Sequence, residues 1–377
     1  MLFSGIVITE PAIFDILIIT LLITGALLSY LKFRRYLIRT LTFVLMYLAG
    51  ILLSMYQIIN LNEGIYYLTI SVYLICLWIF FIGVLTKFRR YQLLEKIFFG
   101  YTIAAFFSSI LSIFAFFQLI PHYNWFIKYD RATALFQDPN VFGAFLIPIS
   151  IYAIHKITRS SKKKKIIWFT IFLSTSMGVL LSFSRAAWLN YFVSLSVFIF
   201  LRTLYVKNYT LYLRPSFLNK KILLILMALL SISFLCLFNI NSFHELFTQR
   251  SGLQWYDQQR FATQSTIIQH TIVTPLGIGP GQAEMIYGLS PHNLYIRVLI
   301  ENGWLGFVGF MLLFMSTINR SIRRSLLSQR VNQPYFALFA SVLIGIFVNS
   351  FFIDSLHWRH FWLFLALPWA PLKKKRQ

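Results

Sequence analysis

Apolar runs long enough to cross a membrane recur along the whole of this 377-residue chain, and that feature limits its possible folds more than any other. In lipid no water satisfies the backbone, so only helices and closed barrels span. Barrel strands alternate polar and apolar residues, whereas these runs are continuous in Leu, Ile and Phe. The sequence therefore predicts an all-α fold, a polytopic transmembrane helix bundle. About eleven spans are expected, with ten to twelve compatible with the pattern: Ala12–Tyr30, Leu41–Ile59, Ile65–Leu85, Ile97–Ile120, Val141–Ile157, Ile166–Leu181, Ala186–Leu201, Ile222–Ile240, Trp304–Ile318, Phe336–Phe352 and Phe361–Ala370. The ninth and the last are short. Composition agrees: 58% of residues are hydrophobic and only 12% charged, far from the soluble norm. No internal repeat or boundary divides the chain, so residues 1–377 read as a single integral membrane domain. The first apolar run reads as a retained anchor, and Cys76 and Cys236, both inside apolar runs, as free thiols.

A net charge of +23 raises the question of nucleic acid, and the placement of the charges answers it. Clusters at Lys32–Arg39, Lys87–Lys96, Lys156–Lys165, Arg202–Lys221, Arg320–Arg330 and Lys373–Arg376 hold 27 of the 34 Lys and Arg, with Glu95 the one acid among them. They fill every second connection, and the intervening connections hold the remaining 7. That is the positive-inside pattern, with the N-terminus outside and the C-terminus cytoplasmic. Topology and anionic lipid account for the charge, so nucleic acid is not an expected partner.

On the outward side this topology places Pro121–Asn140, a short Ser182–Arg185 connection and a large extracytoplasmic loop over residues 241–303. Long structured loops usually carry function. Within this one, Gln259–Val273 can form a helix with Phe261, Ile267, Ile268 and Ile272 partly aligned, lying on the membrane surface or capping a cavity. Its end is the densest polar stretch of the chain, PLGIGPGQAEMIYGLSPHNLYIRVLIENGWLG from Pro275 to Gly306. Ser290 and Pro291 read as the cap and first turn of a helix. That puts His292 in the first turn, where the positive end of the dipole disfavours imidazolium and leaves a neutral ring able to accept a proton.

PLGIGPGQ, an HN pair ten residues later and E-x-G-x-x-G leading into a span resemble the bacterial O-antigen ligase and O-antigen polymerase family. QDPNVFG at Gln137–Gly143, SFSRAAW at Ser182–Trp188 and Arg260 ahead of PLGIGPG extend the match, which covers about Ala134–Gly309. The resemblance implies an integral membrane glycosyltransferase of the bacterial cytoplasmic membrane. Such an enzyme joins a glycan carried on a polyprenyl diphosphate to an acceptor glycan or glycolipid at the outer face. It also implies an inverting, metal-independent transfer with no cofactor, in which one His and a few Arg dominate the site. Family members often have twelve spans and a cytoplasmic N-terminus, from which the eleven-span reading departs.

Displacing a diphosphate from an anomeric carbon needs a base for the attacking hydroxyl and cations for the leaving group. His292 is the candidate base; the plainer reading is a loop hydrogen bond. Arg185, at the outward end of a span, suits two-pronged phosphate contact, or else snorkels to the interface. Arg260 is a second diphosphate clamp or a solvated charge, and Arg250 reads as structural. Asn293, Arg297 and Glu301 share one helix face; Arg297 and Glu301 are expected to pair, and Glu301 reaches His292 only if the chain turns back at Asn302-Gly303. Gly277, Gly279 and Gly281 either make tight turns or present N–H groups to a phosphate or sugar. Pro139 and Asn140 read as a turn leading into the fifth span.

No D-x-D, G-x-S-x-G or P-loop occurs, and His357 and His360 lack acidic or Cys companions, so no metal site is expected. The competing function is a flippase for lipid-linked glycan, without catalysis. Transporter sites usually sit at midplane in broken helices, whereas here the polar constellation lies in a loop, and Asp15 is the one clear acid inside a span. Ligase and polymerase, the sugar and the acceptor are not distinguished.

Overall fold

The structure is a computed structural model that describes residues 1–88, 91–207, 210–213, 225, 228, 231–232, 234–252, 255–327 and 332–371. It is nearly all helix: α1 (Ile13–Leu27), α2 (Ile38–Ser54), α3 (Leu61–Phe88), α4 (Tyr91–Phe116), α5 (Pro139–Ile157), α6 (Lys162–Leu181), α7 (Arg185–Thr203), α8 (Asn241–Ser251), α9 (Trp255–Val273), α10 (Ala283–Tyr287), α11 (Leu294–Leu327), α12 (Gln333–Asn349) and α13 (Arg359–Ala366). Two small hairpins interrupt it, β1 (Ile127–Lys128) with β2 (Arg131–Ala132), and β3 (Leu204–Lys207) with β4 (Thr210–Leu213).

Seven of the described helices are long and apolar enough to cross a membrane: α2 with its flanking turns, α3, α4, α5, α6, α7 and α11. Helices α1 and α12 are apolar but shorter, with 15 and 17 residues. The expected last span, Phe361–Ala370, is an eight-residue helix and a single 3-10 turn. The expected eighth span, Ile222–Ile240, lies partly outside the described residues. Both cysteines are unpaired.

The spans pack in pairs, α11 along α2, α12 against α7 and α5 against α6. The first pairing depends on small residues: a Cβ on Gly50 would stand 2.3 Å from the Gly306 Cα. Without a hydrophobic drive between helices in lipid, such backbone contact is what holds them. Helix α5 is buried nearly all round, by Phe142, Phe145, Ile149 and Tyr152 among others, and forms the centre of the bundle.

Polar pairs cross-link the bundle. Asp15 of α1 takes both Nε and Nη2 of Arg359 at 2.5 Å and the Tyr73 hydroxyl at 2.7 Å, so the one acid expected inside a span is fully paired. Glu95 of α4 accepts from Lys156 at 2.5 Å, from the Tyr152 hydroxyl at 2.9 Å and from Tyr335. Leaving the buried Asp15 carboxylate without its cation would cost about 3–5 kcal/mol.

Helix α11 is two helices joined at Gly303, whose φ of 67° and ψ of −179° break the ladder. The break frees carbonyls, and the PLGIGPG loop takes them. Ile278 N–H donates to Ile300 O at 2.8 Å and Gly279 N–H to Glu301 O at 3.1 Å, while Trp304 N–H donates to Pro275 O at 3.0 Å. Glycine is required there, since a Cβ on Gly303 would meet the Leu276 carbonyl at 2.5 Å.

Candidate functional site

Four arginines from four separate segments line one cleft of about 940 Å³, open mouth included: Arg131, Arg185, Arg250 and Arg260. Each is placed by its own local structure. Ser184 caps α7, its hydroxyl accepting from Ala187 N–H at 3.2 Å, which sets Arg185 as the first helical residue. Asp138 caps α5 in the same way, with Pro139 behind it, and so turns Asn140 toward the cleft. Arg131 leaves strand β2 and is held from two sides, its Nε donating to Ser182 O and its Nη2 to Asn140 Oδ1, both at 2.8 Å. Arg250 ends α8 and donates to the Tyr256 hydroxyl at 3.0 Å, and Arg260 lies over the Tyr256 ring at 5.5 Å from its centroid.

One carboxylate faces these cations. Asp257 accepts from Arg185 Nη2 with both oxygens, at 2.9 and 2.8 Å, and stands 3.9 Å from Arg260. Among the described residues lining the cleft, it is the only acid, so four guanidinium groups meet a single negative charge. The excess is felt by the groups themselves. Burial and the neighbouring Arg250 push the Arg131 guanidinium down to about 10. Burial also lowers Arg260, against the pull of Asp257. A cleft that discourages its own cations favours an incoming polyanion.

His292 stands beside this cleft but not where a helix-start reading puts it. Helix α11 begins at Leu294, and the cap is Asn293, whose Oδ1 accepts from Tyr295 N–H at 3.0 Å and Ile296 N–H at 3.2 Å. His292 lies one residue before the cap, in a left-handed conformation with φ 46°, rather than in the first turn. Its pKa is still lowered from the ordinary 6.5, but the causes are burial first and the positive charge of Arg260 second. Gln264, a lining residue, ties this segment to the cleft by donating to Pro291 O at 2.8 Å.

The helix behind His292 is a fixed post. Arg297 pairs with Glu301 at 3.3 Å, as the spacing predicts, and with Asp354 at 2.5 Å. Asn293 Nδ2 donates to Phe351 O at 3.0 Å and Leu294 N–H to Ser350 O at 3.0 Å, which fastens residues 350–354 to the helix start. That fastening brings Phe351, Phe352 and Ile353 to the cleft as an apolar wall.

Several expected site residues are scaffold in this arrangement. Glu301 turns to Arg297 and to Ala283 N–H, at 3.4 Å, and not to His292. Gly277, Gly279 and Gly281 all take positive φ, and the N–H groups of Gly277, Ile278 and Gly279 donate to protein carbonyls, which favours the tight-turn reading of this loop. Of the apolar face expected on Gln259–Val273, only Ile267 is buried, in a small core with Ile278, Ile296 and Ile300. Phe261 is half exposed and lines the cleft.

The structure adds Arg131, Asn140, Arg250 and Asp257 to the residues that sequence reasoning assigns to the cleft. A signal for Asp257 was present, since it precedes Arg260 by three residues on one helix. Among the described residues no three His, Cys, Asp or Glu side chains gather in a group able to hold a metal ion. Comparison of the chain with protein-family models and with curated proteins returns no match.

Proposed function

We propose that this chain is a membrane glycosyltransferase. It transfers or polymerises oligosaccharide from a polyprenyl-diphosphate carrier onto an acceptor glycan at the outer face of a bacterial cytoplasmic membrane, in the manner of the O-antigen ligases and polymerases it resembles. The observation that carries the reading is the cleft in which Arg131, Arg185, Arg250 and Arg260 converge beside a His292 kept neutral by burial and by Arg260. The proposed topology has eleven crossings, an outside N-terminus and a cytoplasmic C-terminus. It sets residues 241–303 and the cleft on the outer side, where the basic clusters are absent.

In the proposed reaction an acceptor hydroxyl oxygen bonds to the anomeric carbon of the donor as the bond from that carbon to the diphosphate oxygen breaks. The electron pair leaves on the polyprenyl diphosphate, whose charge the guanidinium groups hold, and the hydroxyl proton passes to His292. A single displacement inverts the anomeric centre. With three positive charges in excess at the cleft, the leaving group is stabilised by the chain's own residues, and the transfer is proposed to be metal-independent. Phe351, Phe352 and Ile353 offer an apolar wall for the carrier's isoprenoid units.

Purified protein given a polyprenyl-diphosphate-linked oligosaccharide and an acceptor glycan tests this. A new glycosidic bond should form, and Arg185→Ala or His292→Ala should abolish most of it in protein that remains folded. Movement of the donor across a vesicle membrane with no new bond would replace the transferase by a flippase.

A further inference from the structure

A second cationic cleft lies at the other end of α11. Arg35 and Arg39, around the start of α2, and Arg320, Arg323 and Arg324, near the end of α11, surround an open volume of about 1110 Å³. At about 1.5 Å per residue, the helix from Gly303 to Arg324 rises roughly 30 Å, the thickness of a hydrocarbon core. This cleft is therefore about one hydrocarbon thickness from the PLGIGPG loop and belongs to a different surface from the first. Among the described residues no carboxylate lines it, and none of the five arginines is in an ion pair. Five uncompensated guanidinium groups in one concavity repel one another, an arrangement that a bound anion relieves.

The cleft is also built, not merely crowded. Arg320 lies over the rings of both Tyr36 and Trp369, at 4.7 and 4.6 Å from their centroids, and its Nε donates to Pro368 O at 3.0 Å. Arg324 donates to Pro368 O and Ala370 O, both at 3.0 Å. These contacts fix two guanidinium planes at the inner wall. Arg35, Arg39 and Arg323 remain exposed at the rim. Thr40 is fully buried and lines the cleft, and its hydroxyl has no hydrogen-bond partner among the described residues. A buried hydroxyl without a partner costs about 1–3 kcal/mol, which a ligand oxygen would offset. Tyr36 and Trp369 are the aromatic types that collect at headgroup depth.

We propose that this cleft binds a phosphate-bearing anion. The inner-wall guanidinium groups and the Thr40 hydroxyl take the phosphate oxygens, and the rim arginines supply attraction. Its place at the end of a spanning helix makes the headgroup of an anionic membrane lipid the natural source, and a soluble phosphate compound offers the same chemistry. The site stands apart from the glycan reading and survives or fails without it.

The test uses the full chain, purified in detergent and stripped of lipid. It is titrated with dioctanoyl phosphatidylglycerol, with dioctanoyl phosphatidylcholine and with inorganic phosphate, and binding is read by calorimetry and native mass spectrometry. Phosphatidylglycerol should bind at least tenfold tighter than the zwitterionic lipid and weaken as salt is added. Arg35→Gln, Arg39→Gln and Arg323→Gln together should lower that affinity tenfold or more, and Thr40→Val several-fold. Should the triple variant fold poorly, Arg39→Gln and Arg323→Gln singly should each cost a few-fold. Inorganic phosphate that binds and displaces the lipid points to a soluble source; phosphate that does neither points to the headgroup. Equal affinity for the two lipids together with no phosphate binding, or phosphatidylglycerol affinity unchanged in the variants, would overturn the proposal.

Discussion

Asp257 holds Arg185 by one nitrogen, Nη2, which donates to both carboxylate oxygens at 2.9 and 2.8 Å, while Nη1 donates to Gly252 O at 3.0 Å. The aspartate is buried, and the arginine side chain is 35% exposed, so the pair sits at the wall of the cleft and solvent screens part of its strength. Asp257 thus holds the guanidinium plane in position and occupies Nη2, one of the nitrogens a diphosphate would use. A donor entering the cleft must take over one side of Arg185 from it.

Asp257→Asn separates holding from occupying. The amide keeps a hydrogen bond to Arg185 but removes the one negative charge that lines the cleft. Donor affinity is expected to rise on the order of tenfold at low salt, from lost charge repulsion. Turnover should fall modestly, as Arg185 loses half of its brace. Donor KM and kcat measured in detergent check this, and a weaker KM would mean that Asp257 serves orientation alone.

Arg185→Lys and Arg185→Ala form the second pair. Alanine removes the clamp and should cost most of the turnover. Lysine restores charge without the fork that reaches Asp257, Gly252 O and the donor together, so it should recover only a part. Full recovery by lysine would show that charge alone matters at this position.

Much of this site is visible in the sequence once the basic residues are sorted. The clusters leave seven Lys and Arg unassigned, and four of these, Arg131, Arg185, Arg250 and Arg260, line the cleft. Two more, Arg297 and Arg359, are paired inside the bundle. No local motif marks Arg131: its partners Ser182 and Asn140 meet it only through the packing of β2 against the starts of α5 and α7. Ser290-Pro291 imitates a helix start and so suggests a first-turn His292, yet Asn293 makes the better cap with two backbone N–H groups in reach. The apolar periodicity of α9 is a poor guide to its inward face for a related reason. In a chain bordered by lipid, exposed apolar residues such as Ile272 carry no penalty that reveals which face is inward.

Gly303→Ala should be among the most damaging single-methyl changes in the chain. The backbone there is left-handed in φ, and the added Cβ would meet the carbonyls of Leu276 and Pro275 at 2.5 and 2.6 Å. Backbone strain alone costs about 1–3 kcal/mol. The greater effect is expected from undocking of PLGIGPG, since Ile278 and Gly279 bond to carbonyls that only the break exposes. Limited proteolysis of detergent-solubilised protein should show new cleavage within residues 274–290. Unchanged cleavage and an unchanged Tm would mean that the loop docks without the break.

The last prediction joins His292 to Arg260 through pH. Burial and the Arg260 charge both disfavour imidazolium, so the His292 pKa lies below the ordinary 6.5. If the neutral ring takes the acceptor proton, donor-saturated turnover should rise with pH through an acid limb whose midpoint lies below 6.5 and then level off. Arg260→Ala removes a positive charge, which makes protonation of His292 easier and raises its pKa. The acid limb should therefore move to higher pH, on top of whatever rate is lost with the diphosphate contact. His292→Gln should lose the limb altogether and fall by roughly 10²–10⁴-fold, the usual share of a general base, because an amide can keep a loop hydrogen bond but cannot carry the proton. A merely structural His292 would leave the limb in place in the Gln variant, and Arg260→Ala would then lower the rate equally at every pH.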